Sequence, residues 1–292
     1  MITEAVLSTW TAPSSDTEKD KQDRAERMIR QAIDEHDPFK SCLLKVYAKG
    51  SYANNTNVRS DSDVDIAVEC TGVLYWEEEE KGNRQVSAEP YKGIWTPTKL
   101  RAELVSAMEK KFPDQVDTSG VTAIQINANT ARVNADVVPC FSYRYYMENA
   151  HRDGTKIFKT DGRSVVNHPL QQIRNGKDKN NRTNYNYKKC VRILKRIENA
   201  MAEVGKCKEL PSYFIECLAY NCPDHIFTRA TWSQMLREMI IYIYHALEGE
   251  EPNTERWVEV NECFYLFHSQ QKWNREDGRT FAHAAWNYCG FK

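Results

Sequence analysis

The chain has 292 residues, 41% of them hydrophobic, with 40 basic side chains against 41 acidic ones; that is enough for one large domain or two intimate lobes, and it gives no global charge to draw the protein onto a large nucleic acid. The start, MITEAVLSTWTAPSSD, lacks the basic end and apolar run of a signal peptide, and no stretch reaches the length of a membrane span, so the expectation is a cytoplasmic protein without a membrane partner. Nine cysteines, none in C-x-x-C spacing and most inside apolar periodic segments, read as reduced core thiols and point away from a zinc site.

The first predicted element is a capped amphipathic helix over 14–37, with Ala25, Met28, Ile29 and Ile33 facing inward. A strand then runs into Gly50-Ser51, where the turn offers backbone N–H groups and a hydroxyl to an anion. Thirteen residues after Gly50, Asp63 opens the run DVDIAV. Asp63 and Asp65 are one residue apart on a strand and so project to the same side, while Val64, Ile66 and Val68 face a core. Two such carboxylates can grip a divalent metal together.

The polar segment 71–98, with four successive glutamates at 77–80, reads as a solvated loop rather than a metal site. A helix over 98–112 and strands over 121–128 and 131–141 complete a mixed α/β half. In the last strand Val133, Ala135 and Val137 form an apolar face and Arg132, Asn134 and Asp136 the polar one. Asp136 is therefore a third carboxylate, and a two-metal site usually needs one to hold two cations against their mutual repulsion. Alone, a D-x-D is ordinary surface decoration and a Gly-Ser an ordinary turn. It is their conjunction with a third aspartate on a later strand that points to chemistry.

After a connector at 165–183 the pattern is helical over 184–204, 212–221, 229–248, 254–270 and 275–289. Within 184–204, Lys188, Arg192 and Lys195 recur at helical spacing on one face, opposite Tyr187, Cys190, Val191, Leu194 and Ile197, and the plain reading of that stripe is a solvated face. Ser212 follows Pro211 at a helix start, where it either caps the helix or meets an anion.

The Gly-Ser step, the acidic pair and the distant third acid together resemble the polymerase-β-like nucleotidyltransferases. Within that group VVNHPLQQIRNGKDKNNRT at 165–183, YKKCVRILKRIENAM at 187–201 and LPSYFIECLAYNCPD at 210–224 are most similar to the cGAS/DncV-like nucleotidyltransferases, or CD-NTases, and to their clade E in particular; the likeness covers about residues 15–290. It implies an α+β fold, with a nucleotidyltransferase core at 1–165 and, at 166–292, a helical lobe like the C-terminal domain of oligoadenylate synthase. It also implies two Mg²⁺ ions, or Mn²⁺, on Asp63, Asp65 and Asp136, and a donor triphosphate held by Gly50, Ser51, Lys188 and Ser212. The partners implied are nucleoside triphosphates and, downstream, an effector protein answering to a cyclic product in anti-phage defence. Asn167 resembles the clade's lid residue, where asparagine accompanies pyrimidine use. That implies UTP with ATP as substrates and cyclic UMP-AMP as the product, ahead of cyclic di-UMP. From the residues alone, Asn167 equally caps the turn before Pro169.

Other readings share the acidic triad: a transferase acting on a small acceptor, a polymerase extending RNA, or a non-catalytic nucleotide sensor. The near-zero net charge disfavours the second, and three intact carboxylates disfavour the third.

Overall fold

The computed structural model describes residues 2–58, 63–84 and 91–292. Its strands are β1 (Leu44–Lys49), β2 (Val64–Glu78), β3 (Val116–Asp117), β4 (Ile124–Ile126), β5 (Ala135–Tyr146), β6 (His151–Phe158) and β7 (Ser164–Asn167). Its helices are α1 (Glu4–Trp10), α2 (Asp16–Asp34), α3 (Gly50–Ala53), α4 (Pro97–Lys111), α5 (Pro169–Arg182), α6 (Tyr187–Glu203), α7 (Ser212–Tyr220), α8 (Trp232–Ala246) and α9 (Arg275–Cys289). Two compact units divide the chain: a sheet unit, Ser15–Ala53 with Arg59–Leu170, and a helical unit, Met1–Ser14, Asn54–Val58 and Gln171–Lys292.

In the sheet unit the strands run β1-β2-β5-β4-β3, with β6 on the distal half of β5 and β7 on β6. β2 and β5 are parallel neighbours and every other pairing is antiparallel. Alternation decides what each sheet face does. Val64, Ile66, Val68, Ala135, Val137, Phe141, Ile124 and Ile126 point to one side and pack on Ala25, Ile29 and Ile33 of α2 and on Leu100, Leu104 and Met108 of α4. Ser15 starts α2 with a capping box: its hydroxyl accepts from the Glu18 N–H, and Glu18 returns a bond to the Ser15 N–H at 2.9 Å. The opposite face carries only a small apolar group, Ala67, Val138, Cys140 and Ile157, and it is here that the even-numbered side chains of β5 emerge.

In the helical unit α6 is its centre, with Tyr187, Val191, Leu194 and Ile197 fully buried against α7, α8 and α9 and against Leu7 of α1. α6 departs from the sequence reading on its other side. Arg192 and Lys195 are buried rather than solvated, because each has a distant partner: Arg192 donates to the carbonyls of Thr11 and Asn55, and Lys195 pairs with Glu216 at 3.0 Å.

Three further expectations are corrected. The segment 254–270 holds no helix; Asn221 bonds the Val258 carbonyl and N–H, Asn175 the Val260 carbonyl, and Val258 bridges Tyr265, so side chains from elsewhere satisfy the backbone that a helix would have satisfied internally. The connector 165–183 contains α5 and the end of β7. β2 continues through Glu78, so Glu77 and Glu78 of the glutamate run lie on a strand, paired with Tyr145 and Tyr146, although Glu77 still faces solvent.

Candidate active site

β1 delivers the chain to Gly50, which adopts φ +69°. A Cβ there would overlap Asp65 Oδ2 and lie 3.1 Å from its Cγ, so both the backbone conformation and the space require glycine. Ser51 follows in α3, half-buried, and Tyr52 of the same turn donates to Asp23 of α2. The Gly-Ser turn is thus braced against the sheet on one side and α2 on the other.

Asp65 and Asp136 are register partners on the parallel pair β2–β5, and neighbouring strands lie about 4.8 Å apart. Asp63 stands one residue before β2. Three like charges are therefore close together. The effect is visible at Asp136, whose carboxyl is pushed up to about 6 by its partial burial first, then by the charges of Asp65 and Asp63, with Lys49 pulling the other way. Lys49, in register with Asp65 across β1, reaches its Oδ1 at 3.6 Å.

Sequence reasoning missed Lys49. The signal was its place immediately before Gly50, two residues on from Tyr47 on the strand alternation. The basic side chain expected on the polar face of Asp136, Arg132, lies elsewhere: it is buried over the Phe112 ring and donates to the Asn127 carbonyl and to Gln115. β5 begins only at Ala135, so the residues before it do not continue the strand's alternation.

Oxygen donors alone suit a hard cation such as Mg²⁺ or Mn²⁺, and a carboxylate raised by burial and by like-charged neighbours is one that such a cation would relieve. The donor chemistry fits. In the arrangement described, however, no group of three histidine, cysteine or carboxylate side chains is yet converged at metal-ligand spacing among the described residues.

Asn167 ends β7, opposite Thr155 of β6, which is in turn opposite Ser142 of β5. Register partners share a face, so Asn167 projects from the same face as Asp65 and Asp136, six residues further along β5 than Asp136. Its carbonyl is held: a Cβ on Gly154 would meet it at 2.7 Å, and the Thr155 hydroxyl lies 3.5 Å from it. No hydrogen bond of the Asn167 side chain is seen among the described residues.

Lys188 and Ser212 belong to the helical unit. Lys188 is half-buried on α6, and burial, before any neighbouring charge, pulls its ammonium below the ordinary lysine value; Glu216 opposes this while Arg192 and Lys177 add to it. Among the described residues no side chain pairs with it. Ser212 is the first residue of α7, exposed, and the N-cap is Pro211, so Ser212 does not cap the helix.

The mixed sheet with one dry face, and an in-register acidic cluster beside a Gly-Ser turn on the other, define a nucleotidyltransferase-type architecture. Comparison with known proteins carries this further. Residues 174–290 match the cGAS/DncV-like nucleotidyltransferase C-terminal helical domain. The chain is 37% identical to the cyclic dipyrimidine nucleotide synthase CdnE of Legionella pneumophila over 98% of its own length and 97% of that protein. Among solved structures, the CdnE c-UMP-AMP synthase of Rhodothermus marinus with Apcpp and Upnpp superposes at TM-score 0.86, with 27% identity, covering 99% of this chain and 97% of that one. The CdnE cyclic dinucleotide synthase of Elizabethkingia meningoseptica with GTP and Apcpp superposes at TM-score 0.83, with 30% identity and full coverage of both. The chain belongs to the cGAS/DncV-like nucleotidyltransferase family, among the CdnE enzymes.

Proposed function

We infer that the protein joins nucleoside triphosphates into a cyclic dinucleotide with release of pyrophosphate. The observation that carries this reading is the in-register pair Asp65 and Asp136, with Asp63 beside them, in a chain similar along its whole length to cyclic dinucleotide synthases. Two Mg²⁺ ions, or Mn²⁺, bound by Asp63, Asp65 and Asp136, would neutralise the phosphates and make the attacking ribose hydroxyl more acidic. Asp136 orients that hydroxyl. The Gly50 backbone and the Ser51 hydroxyl hold the donor triphosphate, with Lys188 and Ser212 on its leaving phosphates, so that negative charge building on the departing pyrophosphate meets a fixed cation. A second round on the linear product closes the ring.

The base pair we favour is uracil with adenine, giving cyclic UMP-AMP, with cyclic di-UMP next. Asn167 supports it: its amide offers a donor and an acceptor, the complement of N3–H and O4 of uracil. The Rhodothermus relative is named a c-UMP-AMP synthase and the Legionella one a dipyrimidine synthase. The product would act on a separate effector protein as a signal in anti-phage defence.

Incubating the protein with all four NTPs and Mg²⁺, digesting with phosphatase and weighing what survives tests the reading. A phosphatase-resistant mass of cyclic UMP-AMP is expected. Purine rings alone would overturn the base assignment, and no product without an added acceptor would favour a transferase acting on a small molecule or RNA.

A further inference from the structure

Cys42 and Cys70 stand away from the acidic site, where β1 begins, and nothing in the proposed chemistry uses them. Leu44 is the register partner of Cys70, and Cys42, two residues earlier, brings its Sγ to 3.6 Å from the Cys70 Sγ, with its S–H toward it. Immediately beyond Cys70 the ladder breaks: the partners on β2 skip from Cys70 to Leu74 while β5 runs on without a gap. The bulge puts Gly72 and Val73 directly after Cys70, out of the ladder.

The Cys42 thiol is thus the observed donor to the Cys70 sulfur. The Cys42 thiol first, then the Gly72 and Val73 amides, favour the thiolate of Cys70 and hold it below the ordinary thiol value against burial and Glu69. Its partner is the reverse case: the bond to Cys70 and then burial push the Cys42 thiol up. No such arrangement exists at Cys140, Cys190, Cys207, Cys217, Cys222 or Cys289, where burial pushes the thiol up. Both cysteines are buried, with the exposed Leu43, Thr71 and Gly72 beside them, so the pair lies just beneath a surface turn.

We propose that Cys70 and Cys42 form a peroxide-reactive modification site, with Cys70 the attacking thiol and Cys42 the resolving one. The Cys70 thiolate attacks a peroxide oxygen and the O–O bond breaks, leaving a Cys70 sulfenic acid and hydroxide, which takes up a proton to become water. The Cys42 sulfur then attacks the Cys70 sulfur, its proton leaves with the displaced hydroxide as a second water, and the S–S bond forms. Two thiols lose two electrons and hydrogen peroxide gains them. The sulfurs need to close by about 1.5 Å to reach disulfide bonding distance. The covalent loop so made encloses Lys49, Gly50, Ser51, Asp63 and Asp65, which ties this site to the segment that carries the proposed chemistry.

The test exposes the reduced full-length protein to hydrogen peroxide, quenches by alkylation and maps peptides without reductant. The expected result is a linked Cys42–Cys70 peptide and an intact mass lower by two hydrogens, formed before the other seven cysteines lose alkylation and reversed by dithiothreitol. In Cys42→Ser a dimedone adduct on Cys70 replaces the link, and Cys70→Ser gives neither. If Cys70 is oxidised no faster than the other cysteines in the unmutated protein, or gains oxygen without a link to Cys42, the assignment is wrong. That measurement needs no variant, so a variant that fails to fold leaves it decisive.

Discussion

Each unit of the protein holds a cluster of charge out of bulk water, and the two are built on opposite principles. In the helical unit, Glu216 is fully buried but accepts from Asn54, from Thr56 at 2.7 Å and from Lys195 at 3.0 Å. Burial alone would raise its carboxyl; the Lys195 charge and the three bonds outweigh that and hold it below the ordinary value. In the sheet unit, Asp136 is only half-buried, yet its carboxyl is raised, by that burial first and then by the like charges of Asp65 and Asp63, with only Lys49 opposing. In the first cluster the buried carboxylate has its own counter-charge and donors. The second leaves like charges facing one another with only Lys49 to oppose them, an arrangement that occurs preferentially at functional sites.

This comparison can be broken in several ways. The largest expected effect is on turnover: Asp63→Asn, Asp65→Asn and Asp136→Asn should each cut product formation at least about a thousandfold while the fold survives, since the loss of one ligand charge is an electrostatic effect of several kcal/mol. Binding of a non-hydrolysable ATP, followed by calorimetry, should weaken in Asp63→Asn and persist in Asp136→Asn. Equal weakening would contradict the division of roles.

Glu216→Leu should do the reverse, destabilising the fold by about 3–5 kcal/mol in denaturant titration because it strands the buried Lys195 charge. Gly50→Ala sharpens the same boundary. It should cost turnover about a hundredfold by displacing Asp65, with circular dichroism unchanged. The smallest effect expected is Asn167→Ser, which should move incorporation partly from UTP toward ATP, worth about 1–3 kcal/mol in competition assays.

How legible each cluster was follows from the range of its interactions. Period-two alternation fixes which way Asp65 and Asp136 point, so strand pattern alone placed both on the face away from Val64 and Val137. The partners of Lys195 and Arg192 come from α7 and from the segments around Thr11 and Asn55, distances in sequence that no helical wheel registers, and a buried stripe therefore read as a solvated one. α5 was missed for a related reason. It packs through Gly176 against Asn54, and through Lys179 onto the Cys222 carbonyl and Asp224, so it has little apolar stripe to detect. At 254–270 the error ran the other way: apolar spacing looked helical, while Asn221 and Asn175 supplied the bonds that let the backbone do without a helix.

The half-buried aspartate cluster carries charge that the fold does not fully compensate, and stability measures this directly. A carboxyl raised from 3.8 to about 6 in the folded protein binds the extra proton in the native state, so metal-free stability should rise as pH falls through about 6 toward 4. Above that window burial and like charge together oppose the ionised form fully, a cost that solvent screening of this half-exposed group keeps below about 3 kcal/mol. Thermal unfolding of the unmutated protein and of Asp136→Asn, in EDTA and in Mg²⁺ near pH 7.5, isolates it. The account predicts that Asp136→Asn melts higher than the unmutated protein in EDTA, and that Mg²⁺ raises the melting temperature of the unmutated protein more than that of the variant. An Asp136→Asn protein that melts at or below the unmutated one in EDTA, with the same response to Mg²⁺, would contradict it.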